Sequence, residues 1–200
     1  MEALHAFFAG PLQAIAMAFD FPILDWIQET LKCGFLDAVM PVITMFGDGG
    51  IFWILCSLAL ICTKKQRRTG LSMLLALIFG VIICNAMMKP LIGRIRPYDL
   101  KDQMGITIPL LTERMHDFSV PSGPPIASFE ASVALLLGNK KLGIPAVILA
   151  ILIAMSRLYL YVHYPTDVIV SVFLGIGFAF LATAIVKKLP EKQKGRYEAA

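Results

Sequence analysis

Apolar residues recur in runs near 32–47, 50–63, 70–88, 122–138, 142–160 and 165–186, each closed by glycine, proline or charge. A helix of about 20 apolar residues crosses the roughly 30 Å hydrocarbon layer of a bilayer, and runs spread from Phe35 to Val186 exceed any single anchor. The balance of residues agrees, with 58% hydrophobic and 16% charged, against roughly 45–50% and about 25% in soluble domains. The expected fold is all-α: a polytopic membrane helical bundle of six transmembrane helices preceded by amino-terminal interfacial helices. Several runs fall short of a full span. The first two also admit another arrangement, because Gly47, Asp48, Gly49 and Gly50 mark either an outside turn or a break in one longer helix.

Residues 1–30 mix apolar positions with Glu2, Asp20, Pro22, Asp25 and Glu29 and carry Trp26, a type favoured at membrane interfaces. They form an interfacial segment before a six-span domain over 31–188 and a polar tail over 189–200. The first Lys or Arg is Lys32, so the positive start of a cleavable signal is missing and the segment is expected to be retained. The clusters Lys64, Lys65, Arg67, Arg68, then Lys140, Lys141, then Lys187, Lys188 fall on one side if every run crosses. That side is expected to be the cytoplasm of a plasma (inner) membrane, with both termini inside. The polar segment from Arg94 to Ser122 and the link from His163 to Asp167 then meet outside. Net charge is +4, without the long basic face or interleaved aromatics of a nucleic-acid binder. Cys33, Cys56, Cys62 and Cys84 show no metal-ligand spacing and read as small buried hydrophobes.

Three stretches carry residues costly to place at a membrane boundary. Lys89-Pro-Leu-Ile-Gly-Arg-Ile-Arg96-Pro97 supplies three cations with no carboxylate before Asp99. Two helical turns would stack Lys89 and Arg96 on one face, and an anion is their natural partner; cations snorkelling to headgroups fit this stretch alone equally well. Pro121-Ser122-Gly123-Pro124-Pro125 opens an apolar run. Its N–H groups and the Ser122 hydroxyl can converge on a phosphate at a helix start, although an ordinary capped helix explains it too. In Ser156-Arg157-x5-His163-Tyr-Pro165-Thr-Asp167, Pro165 separates two helices. Asp167 can then accept a hydrogen bond from one imidazole nitrogen and leave the other free to attack, while Arg157 forks onto phosphate oxygens.

Taken together, Lys89-x6-Arg96-Pro97, Pro121-Ser122-Gly123 and Ser156-Arg157-x5-His163-x3-Asp167 resemble the type 2 phosphatidic acid phosphatase (lipid phosphate phosphatase) superfamily over roughly residues 31–187. The resemblance implies a six-helix membrane core, no metal or other cofactor, and a phosphohistidine formed on His163. It gives Asp167 the orienting role and Lys89, Arg96, Ser122, Gly123 and Arg157 the binding of the phosphoryl group. The expected partners are a lipid phosphate substrate and membrane lipids, with no nucleic acid.

One position departs. The family pattern continues Pro-Ser-Gly-His, where the histidine is taken to protonate the leaving group, and here Pro124 occupies it. General acid catalysis is commonly worth about 10²–10⁴ in rate. Three explanations stand. The substrate is a lipid diphosphate such as undecaprenyl diphosphate, whose leaving lipid monophosphate needs less protonation; or His116, Glu113 or Asp117 supplies the proton; or the protein binds, senses or translocates lipid phosphates without turning them over. The first is favoured over phosphatidic acid and phosphatidylglycerophosphate. Glu130, two turns into an apolar run, is expected to meet Lys89 or Asn85, or else water in an outer cleft.

Overall fold

The computed structural model describes residues 2–190, so the expected tail lies, from residue 191 on, outside the described residues. All regular structure among them is helical. Helix α1 (Glu2–Ile15) passes through one wide π-type turn, Ala16–Asp20, into α2 (Phe21–Thr30), whose second residue is Pro22.

Helices α3 (Gly34–Met45) and α4 (Ile51–Cys62) are joined through Gly47, Gly49 and Gly50. Gly49 and Gly50 hold φ values of +60° and +67°, open to glycine at no steric cost. At Gly47 a Cβ would lie 2.7 Å from that of Pro124. The chain bends here by 41°. A bend of that size carries the backbone onward instead of reversing it, which suits one broken span over the two separate spans expected.

Helix α5 (Arg67–Phe79) continues through a π-type segment, Gly80–Met88, into α6 (Lys89–Ile92), which Gly93 ends in the left-handed conformation; α7 (Pro97–Gln103) follows. The remaining helices are α8 (Gly123–Gly138), α9 (Lys140–Tyr159) and α10 (Pro165–Lys188). Asn139 caps α9, its side chain accepting from the N–H groups of Lys141 and Leu142 at 3.1 and 3.3 Å. Among the described residues, three helices are long and apolar enough to cross a membrane, or four when the bent pair counts as one, and α8 is apolar but shorter. The expected count of six crossings is therefore not confirmed by length and composition. The short runs were the ones that fell below spanning length.

Helix α8 packs against α5, α9 and α10. It is buried on nearly every side, polar Ser128, Glu130 and Ser132 as well as Phe129 and Ala131. Large apolar side chains point outward from its neighbours, among them Phe35, Ile148 and Phe173, as lipid-facing positions do. The end of α9, the start of α10 and residues 20–37 meet at one end of the bundle. Gln28 donates to the carbonyl of Tyr159, the Tyr159 hydroxyl to Asp37 and the Tyr161 hydroxyl to Asp25. Lys187 and Lys188 close α10 at the other end, roughly 36 Å away at about 1.5 Å per residue. The amino-terminal segment and the end of α10 therefore lie at opposite ends of the bundle, not on the one shared side expected.

Candidate functional site

Pro165 does separate two helices, and the turn between them, Leu160–Tyr164, carries His163 inward. Tyr161 holds a φ of +59°, a conformation sparsely populated outside glycine and kept only where the surroundings enforce it. Its hydroxyl is held by Asp25 at 2.6 Å. His163 is 1% exposed and lines a cavity of about 250 Å³ together with Lys89, Arg96, Gly123 and Arg157. Five of the seven expected site residues thus converge on one cavity. Asp167 and Ser122 do not line it.

The cations reach it from different helices. Lys89 comes at the end of the π-type segment. The left-handed Gly93 breaks the helix before Arg96, so the two do not stack on one helical face as expected. They are brought together instead by Asp117, whose carboxylate pairs with Lys89 and with Arg96 Nη2, the latter at 2.5 Å. Arg157, 1% exposed, donates to Thr44 Oγ1 at 2.6 Å and stands 3.6 Å from Asp48. Its Nε has no hydrogen-bond partner. Burial alone would raise the pKa of Asp117, but hydrogen bonds from Lys89 and Arg96 bring it down to about 2. Two carboxylates, Asp117 and Asp48, therefore stand where a tetrahedral anion would meet the same guanidinium and ammonium groups.

Arg96 Nη1 donates to His163 Nε2 at 3.2 Å. Because arginine has no acceptor, Nε2 carries the lone pair and Nδ1 the proton. Burial first, then the positive charges of Arg96, Arg157 and Lys89, push the His163 pKa well below its ordinary value. The ring is neutral, and its Nε2 lone pair can attack once the Arg96 N–H that it accepts from turns to an incoming anion. Nδ1 lies 3.8 Å from Asp167 Oδ2, beyond hydrogen-bonding reach, so the direct bond expected between them is absent. Ser119 mediates it: its hydroxyl donates to Asp167 Oδ2 and stands 3.5 Å from Nδ1.

Ser122, expected to converge on a phosphate, does not line the cavity. Its N–H donates to Ser171 Oγ at 2.8 Å, behind the cavity, and its own hydroxyl is buried without a partner. Of the three substitute acids, only Asp117 lines the cavity; His116 lines an adjoining surface recess that shares Arg96, Met115 and Asp117 with it, and Glu113 is exposed. Glu130 lines the cavity at 1% exposure, yet its Oε1 meets neither Lys89 nor Asn85 and has no hydrogen-bond partner.

Sequence reasoning missed Ser119, and it read Arg94 only as one more cation. Arg94 turns from the cavity to Asp167 at 2.5 Å and Asp20 at 2.6 Å. No local signal marked Ser119, a lone serine in a loop; an arginine two residues before the motif's own is signal enough to ask which carboxylate it meets. No group of three or more His, Cys, Asp or Glu side chains that could hold a metal ion occurs among the described residues.

Undecaprenyl-diphosphatase of Sulfolobus acidocaldarius is 28% identical to this chain over 159 residues, 79% of this chain and 74% of that protein. Phosphatidylglycerophosphatase B of Bacillus subtilis is 30% identical over 180 residues, 82% of this chain and 77% of that one. The crystal structure of the transmembrane PAP2 type phosphatidylglycerolphosphate phosphatase from Bacillus subtilis superimposes with a TM-score of 0.72 at 25% identity, covering 96% of this chain and 98% of that one. Since the model of the PAP2 superfamily matches residues 69–191, more than half of the chain and the whole cationic wall of the cavity, this protein belongs to that superfamily.

Proposed function

We propose that this protein is a membrane lipid phosphatase acting through His163, with a polyprenyl diphosphate such as undecaprenyl diphosphate as substrate and its cavity on the extracytoplasmic side. The observation that carries the reading is the single cavity shared by Lys89, Arg96, Arg157 and the unprotonated Nε2 of His163. Displacing Asp117 and Asp48, the terminal phosphoryl group takes up the three cations, which spread and neutralise its charge. Nε2 attacks phosphorus in line, forming the N–P bond as the bond to the bridging oxygen breaks, and the lipid monophosphate leaves with that electron pair. Asp167, through Ser119, holds the ring in the Nδ1–H tautomer. Water then attacks the same phosphorus, the N–P bond breaks, and orthophosphate departs.

Pro124 supports the diphosphate. It lines the cavity and can donate no proton, and Asp117, the one substitute at hand, is held ionised by its two cations. A leaving lipid monophosphate tolerates that lack better than an alkoxide does. The relatives named as undecaprenyl-diphosphatase and phosphatidylglycerophosphatase support the broader class of lipid phosphatase.

The test compares phosphate release from a polyprenyl diphosphate and from phosphatidic acid by the native chain, Pro124→His and His163→Ala. The native chain is expected to prefer the diphosphate, Pro124→His to gain chiefly on phosphatidic acid, and His163→Ala to lose both activities. Equal gains on both substrates would defeat the leaving-group argument. No release from either, with a lipid phosphate still protecting the native chain against heating, would favour the non-catalytic relative.

A further inference from the structure

Arg94 sits two residues before a phosphate-facing arginine, but its guanidinium belongs to a closed cluster behind His163. Nη1 donates to Asp167 Oδ1 and Thr166 Oγ1, Nη2 donates to Asp20 Oδ2, and the group lies 3.7 Å over the centre of the Tyr164 ring. Asp20 also accepts from the N–H of Thr166 at 2.9 Å and from its hydroxyl at 2.8 Å. Asp20 and Asp167 are fully buried, and Arg94 is 6% exposed. One cation therefore serves two buried carboxylates, leaving one net negative charge. Asp20 comes from the amino-terminal segment, outside the residues that carry the family match.

We infer that Asp20 is a positioning residue for the reaction on His163: by taking one edge of Arg94 it leaves Asp167 negative enough to support the imidazole through Ser119. The inference rests on the proposed role of His163 as nucleophile. When Nε2 takes the phosphoryl group the ring becomes cationic and keeps its proton on Nδ1, next to Ser119 and Asp167. With Arg94 given over to Asp167 alone, that pair is neutral and offers the ring little. With Asp20 on the other edge, the cluster carries the charge that the phosphorylated ring needs, in a setting of low dielectric where it acts strongly. The amino-terminal segment is then part of the active site, not a mere covering of the bundle.

A purely structural part for Asp20, tying α2 to the first turn of α10, makes different predictions, and Asp20→Asn separates them. The amide keeps an acceptor for the Thr166 N–H, while its NH2 takes the place of the oxygen that accepts from Arg94 and from the Thr166 hydroxyl, so the charge and the hold on Arg94 are lost together. The charged and titratable groups facing His163 are Arg96, Arg157 and Lys89 on the cavity side, with Asp117 and Asp48 beyond them, and Asp167 behind Ser119. Losing a negative charge behind the ring makes it harder to protonate, so the acid limb of kcat/KM moves to lower pH. The expected kcat falls about tenfold, less than the roughly 10⁴ lost when the direct partner of a catalytic histidine is neutralised. KM stays near the native value, because the three phosphate-facing cations are untouched. Asp20→Glu restores the charge and most of the rate.

The measurement is phosphate release from a polyprenyl diphosphate by the full-length protein in detergent, normalised to folded protein. An unshifted acid limb with native kcat in Asp20→Asn overturns the inference, as does a loss fully explained by a lower Tm. His163→Ala in the same assay keeps the two claims apart: a variant that still turns over overturns the nucleophile reading and this inference with it. A dead His163→Ala beside a normal Asp20→Asn overturns this inference alone.

Discussion

Asp117 shows how far one side chain can be misjudged from its type. In the sequence it is a candidate proton donor; in the structure its carboxylate is pinned by Lys89 and Arg96 and has a pKa of about 2. Its lowered pKa means that it contributes stability above the ordinary carboxylate value near 3.8 and loses it as the pH falls towards 2, so it holds no proton to give in the neutral range. Its effect on catalysis is competitive, since a substrate must displace it before reaching the same cations. Asp117→Asn weakens that competition, and KM for the lipid substrate is expected to fall roughly three- to tenfold with kcat little changed. Initial rates over a substrate series decide it, because a collapse in kcat would mean that Asp117 is the missing acid. The motif residues were legible because their chemistry is local: an arginine, a histidine and a lysine beside helix ends look costly in any fold. Which way each one points was not. Ser122 is claimed by Ser171, 49 residues on, and Arg94 by Asp20, 74 residues back, and no spacing rule reaches that far.

Helices were legible wherever apolar runs were long, but breaks and kinks depend on partners. Gly47–Gly50 suited either a turn or a bend, and what favours the bend is the close seat of Gly47 against Pro124 and Ile153. The π-type segment Gly80–Met88 has no signature in the sequence. It begins at Gly80, where a Cβ would overlap the carboxylate of Glu130. That glycine gives the buried acid of α8 its niche, and the pair should behave as a unit. Gly80→Ala alone is expected to cost about 1–3 kcal/mol through overpacking. In a Glu130→Ala background the same change meets an empty niche and costs little. Thermal unfolding in detergent of the two single variants and the double variant tests this. Two effects that simply add would show that the contact is not made.

The arrangement of the whole molecule turns on the broken first span. Were α3 and α4 separate crossings, their outer ends, near Cys33 and Cys62, would share one side of the membrane. As one bent span, they stand on opposite sides. Tyr159, at the site end of α9, accepts at its hydroxyl from the N–H of Cys33 at 3.3 Å, whereas Cys62 adjoins the basic Lys64 and Lys65. Both thiols are exposed, while Cys84 is buried. A membrane-impermeant maleimide applied to sealed vesicles therefore reports the path of the chain directly, with Cys33→Ser and Cys62→Ser assigning each product. Cys33 is expected to react from the side on which the His163 cavity opens and Cys62 only after permeabilisation. With the proposed outward cavity, Cys33 is the residue labelled in intact cells. Labelling of both from one side would restore two crossings, move the amino-terminal segment to the other face, and take Asp20 away from Arg94.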